Sequence, residues 1–169
     1  KGTRMLSQKA KVLQALGGRT MLNHVLTTAN KISNKISVVV GFDKEGVEEE
    51  IKKIGINANT YLQKEQIGTA DAVKTTLKDI DKNEKILILY GDVPLIKEET
   101  LKKLCNQESD LSILTTNLEN PTGYGRALKD KENNVLGIIE EKDADLEQKK
   151  IKEIFTGILV TKGGLLKNF

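Results

Sequence analysis

Two short runs of β-branched and aliphatic residues constrain this chain more than any other feature. "ISVVVGF" (36–42) and "KILILYGD" (85–92) are apolar for most of their length and read as buried strands. The segments around them carry helical spacing instead. "TMLNHVLTTANKI" sets Met21, Leu22, Val25, Leu26, Ala29 and Ile32 along one stripe. "DKEGVEEEIKKIG" is acidic early and lysine-rich late, the order a helix dipole favours, and it closes on Gly55. "GTADAVKTTLKDI" and "KEETLKKLCNQ" predict two further helices, and "NANTYLQ" (57–63) a weaker strand. This strand–helix–strand alternation predicts an open α/β sheet with helices on both faces. Beyond it, "DLSILTTNL" (110–118) continues the sheet, and "GYGRALKDKENNVLGIIEEKD" predicts an antiparallel hairpin turning at "DKENN". "KEIFTGILVT" adds one more strand. The first two thirds therefore reads as doubly wound and the last third as strands of another kind.

A chain of 169 residues suits one domain, or most of one. Its net charge of +3 comes from 27 basic and 24 acidic side chains mixed along the sequence. That mixture argues against a nucleic-acid partner, which requires basic residues gathered on one face. "KNEK", "KEE" and "KKIKE" read as solvated faces. Cys105 is the only cysteine and His24 the only histidine, which excludes an internal disulfide and a multi-histidine metal site. In "LKKLCNQ", Cys105 reads as a buried thiol. No apolar run approaches the roughly 20 residues of a membrane-spanning helix, and no signal peptide is visible, so a cytoplasmic, membrane-free protein is expected. The chain opens at "KGTRM" and closes at "GGLLKNF", and a fragment trimmed at both ends is expected.

Four places combine the residue types that chemistry needs. In a doubly wound sheet the ligand sits beyond the carboxyl ends of the strands, and Asp92 falls there, after the turn at Tyr90 and Gly91. Pro94 prevents the strand from extending. A carboxylate so placed suits a hard cation such as Mg²⁺, and capping of the next turn is the structural alternative. Arg4 in "KGTRM" and Lys11 seven positions on set two long cations near a turn, as phosphate sites often do. In "QKEQIGTADA" (63–72), Gln63 and Gln66 leave a strand, Gly68 turns, and Thr69 opens a helix. Paired amides can read a nucleobase edge, and Thr69 can serve as helix cap at the same time. The glycine-dense loop "NPTGYGRA" (120–127) allows close approach of a ligand, or is an ordinary turn.

In this order and spacing the pieces resemble the sugar-1-phosphate nucleotidyltransferases. Among these they are most similar to the uridyltransferase domain of the bacterial bifunctional N-acetylglucosamine-1-phosphate uridyltransferase/glucosamine-1-phosphate acetyltransferases. "KGTRM", "KVL", "QIGTA", "YGDVPL", "NPTGYGR", "EEKDA" and "TGIL" carry the resemblance, with "YGDVPL" followed by "PTGYGR" its specific pair. It implies a Rossmann-like doubly wound mixed sheet of the nucleotide-diphospho-sugar transferase type. The implied reaction condenses UTP with N-acetylglucosamine 1-phosphate, giving UDP-N-acetylglucosamine, an early precursor of bacterial cell-wall polymers, and pyrophosphate. Arg4 and Lys11 would grip the phosphates. Gln63, Gln66, Gly68 and Thr69 would hold uracil and ribose, and Tyr90, Gly91 and Asp92 would lie along the nucleotide-sugar, with Asp92 on Mg²⁺. Gly125 and Glu140 would contact the amino sugar. Because the sugar phosphate is itself the nucleophile, alignment and charge neutralisation are what such a site must supply.

The sequence also departs from that pattern. The family's first strand and most of its "LAAGxGTRM"-type loop are missing ahead of "KGTRM". A second metal ligand, an asparagine downstream in the family, would lie beyond Phe169, and residues 1–169 are expected to hold no part of the acetyltransferase domain. Residues 1–169 are thus expected to be a partial nucleotidyltransferase domain, with weak or no activity outside its parent. Ala10 replaces a proline usual before the lysine, and Asp71 a common histidine. Since "GTADA" is also similar to glucose-1-phosphate adenylyltransferases, adenylyl or thymidylyl transfer is a rival reading. Phe155 occupies the place of an amide that binds the amino sugar, which predicts weaker N-acetylglucosamine selectivity and favours a second rival, a non-catalytic nucleotide-sugar binder. Assembly in the family runs through the acetyltransferase domain, so this stretch neither requires nor excludes a homo-oligomer.

Overall fold

The computed structural model describes residues 9–65 and 68–167. A two-residue hairpin, β1 (Ala15–Leu16) and β2 (Arg19–Thr20), leads into α1 (Met21–Asn30). Thr20 caps that helix, its hydroxyl accepting from the Asn23 N–H at 3.0 Å. The predicted stripe is its buried side, with Leu22, Val25 and Leu26 all buried. β3 (Ile36–Val40), α2 (Lys44–Ile54) and β4 (Ala58–Leu62) form the expected parallel unit, paired from Ile36–Ala58 to Val40–Leu62. Leu22, Leu26, Val40, Val47 and Ile51 make its core.

The remaining elements are α3 (Thr69–Lys74), β5 (Lys85–Ile88), α4 (Glu98–Cys105), β6 (Leu111–Asn117), β7 (Arg126–Lys129), β8 (Val135–Ile139), β9 (Glu153–Lys162) and α5 (Gly163–Leu166). β9 is their spine. Its C-terminal part pairs with β5 on one edge (Ile88–Leu159) and with β6 on the other (Ile113–Leu159). Farther back, Ile154 pairs with Arg126 of β7 and with Thr116 of β6. β5 and β7 therefore lie end to end along the same edge of β9, with residues 155–158 facing the gap between them. Leu101, Leu104, Ile158 and Val160 form a second core beneath α4. Among the described residues β3 and β5 are not paired with each other, so the strands stand as a parallel pair, β3 with β4, and a five-stranded antiparallel sheet.

Three local expectations change. The helix predicted across "GTADAVKTTLKDI" ends at Lys74, and a 3-10 turn follows at Leu77–Asp79. The hydroxyls of Thr75 and Thr76 bond back to the carbonyls of Ala72 and Val73 at 2.7 and 2.8 Å, competing with continuation of the helix. Thr69 is not the cap of α3: Gly68 occupies that position with φ 136, and Thr69 is the first helical residue. Cys105 is only half-buried, and desolvation raises the pKa of its thiol. No helix among the described residues is long and apolar enough to cross a membrane.

Leu101 is fully shielded from solvent. Leu101→Ala is expected to cost about 2–5 kcal/mol, read as a lower denaturant midpoint at unchanged slope. A loss below about 1 kcal/mol would mean that α4 does not anchor the second core.

Candidate active site

β5 stops at Ile88, and the chain turns through Tyr90 and Gly91 to present Asp92. Lys11 approaches from a 3-10 turn, Lys11–Leu13, and its Nζ lies 2.7 Å from Asp92 Oδ2. The two segments pack side by side: a Cβ on Gly91 would stand 3.0 Å from Val12 Cγ1. Both side chains of the ion pair remain open to solvent, at 46% and 35% exposure.

Tyr90 extends the site in two directions. Its hydroxyl lies 2.9 Å from Thr69 Oγ1, which brings the start of α3 to the end of β5. Its ring lies over Gly157, where a Cβ would come within 2.0 Å of Tyr90 Cε2. Gly157 also has φ 85, a left-handed backbone that side-chain-bearing residues resist. This irregularity within the continuous β9 faces the gap between β5 and β7 and coincides with a register shift against β6 between Ile113 and Thr115.

On the β4 side, the Gln63 N–H donates to the Val40 carbonyl at 2.8 Å, holding Gln63 at the ends of β3 and β4. The Gln63 amide donates from Nε2 to the Gly68 carbonyl at 3.0 Å and to Asp71 Oδ2 at 2.9 Å. Both partners can only accept, so the amide orientation is fixed and Oε1 is left as its acceptor. On the other side, the Phe155 N–H donates to the Gly125 carbonyl at 2.9 Å, and a Cβ on Gly125 would lie 3.4 Å from Glu140 Oε1. Glu140 itself is exposed. Lys11, Gln63, Gly68, Thr69, Tyr90, Gly91, Asp92, Gly125, Glu140 and Phe155 thus form three clusters linked through Tyr90 and Gly157. Arg4 and Gln66 lie outside the described residues.

Sequence reasoning missed the groups that hold the glycine-dense loop. Arg126 is buried, at 1% exposure. It donates to the Ile151 carbonyl at 3.1 Å, to the Tyr124 carbonyl, and to Glu141 Oε2 at 2.5 Å. The Gly123 N–H also donates to Glu141 Oε2, at 3.2 Å. "GYGR" followed by "EE" carried the signal, an arginine and an acid flanking a hairpin, but not the contact. Gly157, a lone glycine inside a strand pattern, was the other readable sign of close approach.

Among the described residues no three His, Cys, Asp or Glu side chains gather into a metal cluster. Asp92 offers hard carboxylate oxygens that already neighbour one cation, the Lys11 ammonium, which is the chemistry a phosphate-bound divalent ion needs from protein. Two hollows flank α2, one lined by Ile51, Ala58 and Thr60 and the other by Leu13, Thr20 and Glu50; neither touches the residues above.

The Arg126 hydrogen bond holds Glu141 below its ordinary pKa of about 4.5. The unfolded chain therefore takes up this proton first, so the stabilisation is present above about pH 4.5 and is lost as pH falls through the folded value. Urea midpoints between pH 6 and pH 3 are expected to fall less steeply for Glu141→Gln than for the unsubstituted protein. Parallel slopes would contradict the assignment.

The model of the MobA-like NTP transferase domain matches residues 1–145. Bifunctional protein GlmU of Ruthia magnifica subsp. Calyptogena magnifica is 44% identical over 171 residues, covering 100% of this chain and 37% of that protein. The protein of the same name from Thermosipho melanesiensis is 45% identical over 169 residues, covering 98% and 36%. The chain thus spans little more than a third of the length of these curated relatives. Among solved structures, a Bacillus anthracis protein assigned as a glucose-1-phosphate thymidylyltransferase aligns with TM-score 0.79 at 16% identity, over 98% of this chain and 69% of that one. An apo UDP-glucose pyrophosphorylase aligns with TM-score 0.78 at 12% identity, over 98% and 74%. At those identities the likeness is one of fold, and the architecture is that mixed α/β fold. With the family model matched over most of its length, the chain belongs to the MobA-like NTP transferase domain family.

Proposed function

We propose that this chain is part of a nucleotidyltransferase domain that transfers a uridylyl group from UTP to N-acetylglucosamine 1-phosphate, releasing pyrophosphate. The observation that carries the reading is the solvent-open Lys11–Asp92 pair at the end of β5, tied by Tyr90 to Thr69 and Gly157. The two curated relatives, both named bifunctional protein GlmU, point to the same chemistry through the family resemblance. Only the transferase activity is proposed for this stretch.

In this reading Arg4 and Lys11 hold the triphosphate and Asp92 holds Mg²⁺. When bound, the ion neutralises charge developing between attacking phosphate and departing pyrophosphate. Lys11 exchanges its carboxylate partner for a phosphate oxygen, an exchange made easy because exposed ion pairs contribute little stability. Gln63, Gln66, Gly68 and Thr69 hold base and ribose. The oriented Oε1 of Gln63 suits the N3–H of uracil, while an adenine amine could also donate to it, so base choice is decided by assay. Tyr90 and Gly91 line the nucleotide-sugar. Gly125, Glu140 and Phe155 face the amino sugar, with the phenyl ring unable to replace an amide. Phe155 also favours the second reading, a binder of nucleotide-sugar without turnover.

The test is pyrophosphate release by the full-length protein with Mg²⁺, N-acetylglucosamine 1-phosphate and each nucleoside triphosphate in turn. Release is expected with UTP, and Asp92→Ala is expected to lower kcat by about 100-fold or more. Phe155→Asn should improve the KM for N-acetylglucosamine 1-phosphate. Release with ATP or dTTP alone would replace the nucleotide in this reading, and binding of UDP-N-acetylglucosamine without release under any condition would replace catalysis by binding.

A further inference from the structure

Lys11 projects from a single short turn, and that turn is held by a carboxylate outside the site. Asp43 stands directly before α2 with φ 59 and ψ 47, a left-handed conformation unfavourable for residues with a Cβ, which Asp is among the few to tolerate. At the head of a helix its carboxylate would ordinarily cap the first turn, yet it makes no such bond. Instead Oδ2 accepts from the Ala10 N–H at 3.0 Å, across 33 residues of sequence. Space for this orientation comes from Gly46, where a Cβ would stand 2.5 Å from Asp43 Oδ1. Ala10 is the residue from which the Lys11–Leu13 turn starts, and its carbonyl accepts from the Leu13 N–H at 3.0 Å. One residue on, Lys11 reaches Asp92.

We propose that Asp43 is a positioning residue for Lys11: by holding the Ala10 N–H, its carboxylate fixes the root of the Lys11 side chain and so aims the ammonium at Asp92. The proposal rests on the reading above, in which Lys11 is a phosphate ligand. A hydrogen bond from a backbone N–H to a charged carboxylate is stronger than one between neutral groups. A long, freely rotating side chain gains most from having its backbone root fixed. Residue 10 admits a second way of achieving this. The φ of Ala10, −56, lies within the range of a proline ring, but proline has no N–H to give to Asp43. Ring and hydrogen bond are therefore alternatives that cannot operate together, whereas any role of Asp43 confined to α2 is indifferent to residue 10.

That difference supplies the test, a double-mutant cycle on kcat and KM for pyrophosphate release by the full-length protein with UTP. Asp43→Gly removes the carboxylate and leaves the left-handed backbone unstrained. Alone it is expected to lower kcat/KM about tenfold, whereas in the Ala10→Pro background it should change it less than about twofold. Ala10→Pro alone should stay within about threefold of the unsubstituted protein, because the ring fixes the same φ. Asp43→Asn, which keeps an oxygen acceptor, should retain most of the rate. Equal losses on Asp43→Gly in both backgrounds, or no loss in either, would overturn the proposal. A wild-type protein silent with every nucleotide would remove the transferase reading. Exchange of the Ala10 amide then decides the contact alone: faster exchange in Asp43→Gly upholds the hydrogen bond, and unchanged exchange refutes it.

Discussion

The contact between the Tyr90 ring and Gly157 ties the candidate site together. β9 carries β5 and β7 end to end on one edge, and a break between them is unavoidable because each strand pairs with a different part of it. The Tyr90 ring fills that break, and a side chain at 157 would occupy the same volume. Its hydroxyl then reaches Thr69, so one residue joins the head of α3, the end of β5 and the middle of β9. Asp92, two residues on, inherits its position from this anchor.

Two ion pairs at the site are built for different ends. Arg126 is buried, and its guanidinium bonds to two carbonyls as well as to Glu141, so removing either partner would strand a polar group and loosen the 120–125 loop. That pair belongs to the scaffold. Lys11 and Asp92 are both solvent-accessible, and their pairing contributes little to holding the fold. A ligand bringing phosphate for the lysine and a cation for the carboxylate can take both partners over at small cost. Rigidity beneath the 120–125 loop and exchangeability at the Lys11–Asp92 pair are what the proposed group transfer between two bound substrates would use.

Much of this was legible in the sequence because burial writes itself into short patterns. "ISVVVGF" and "KILILYGD" became β3 and β5, "DKENN" became the β7–β8 turn, and Asp92 stands where a strand-end acid was expected. Errors arose where a local rule met a tertiary partner. Thr69 has the chemistry of a cap, but Tyr90 claims its hydroxyl. The α3 helix shortens because Thr75 and Thr76 satisfy nearby carbonyls with their own side chains. Asp43, Arg126 and Glu141 went unread because each acts through a partner 15 to 33 residues away, a distance that no periodicity reports. Ala10 read only as the replacement of a usual proline, whereas its N–H is what Asp43 grips.

The most direct measurement is a crystal structure of the full-length protein with UTP and Mn²⁺, using the anomalous signal of manganese in place of magnesium. The account predicts a manganese peak at coordination distance from an Asp92 oxygen, about 2.0–2.3 Å. Lys11 Nζ should have left that carboxylate for a phosphate oxygen, with uracil against Gln63. A nucleotide bound elsewhere, with the Lys11–Asp92 pair intact, would contradict it.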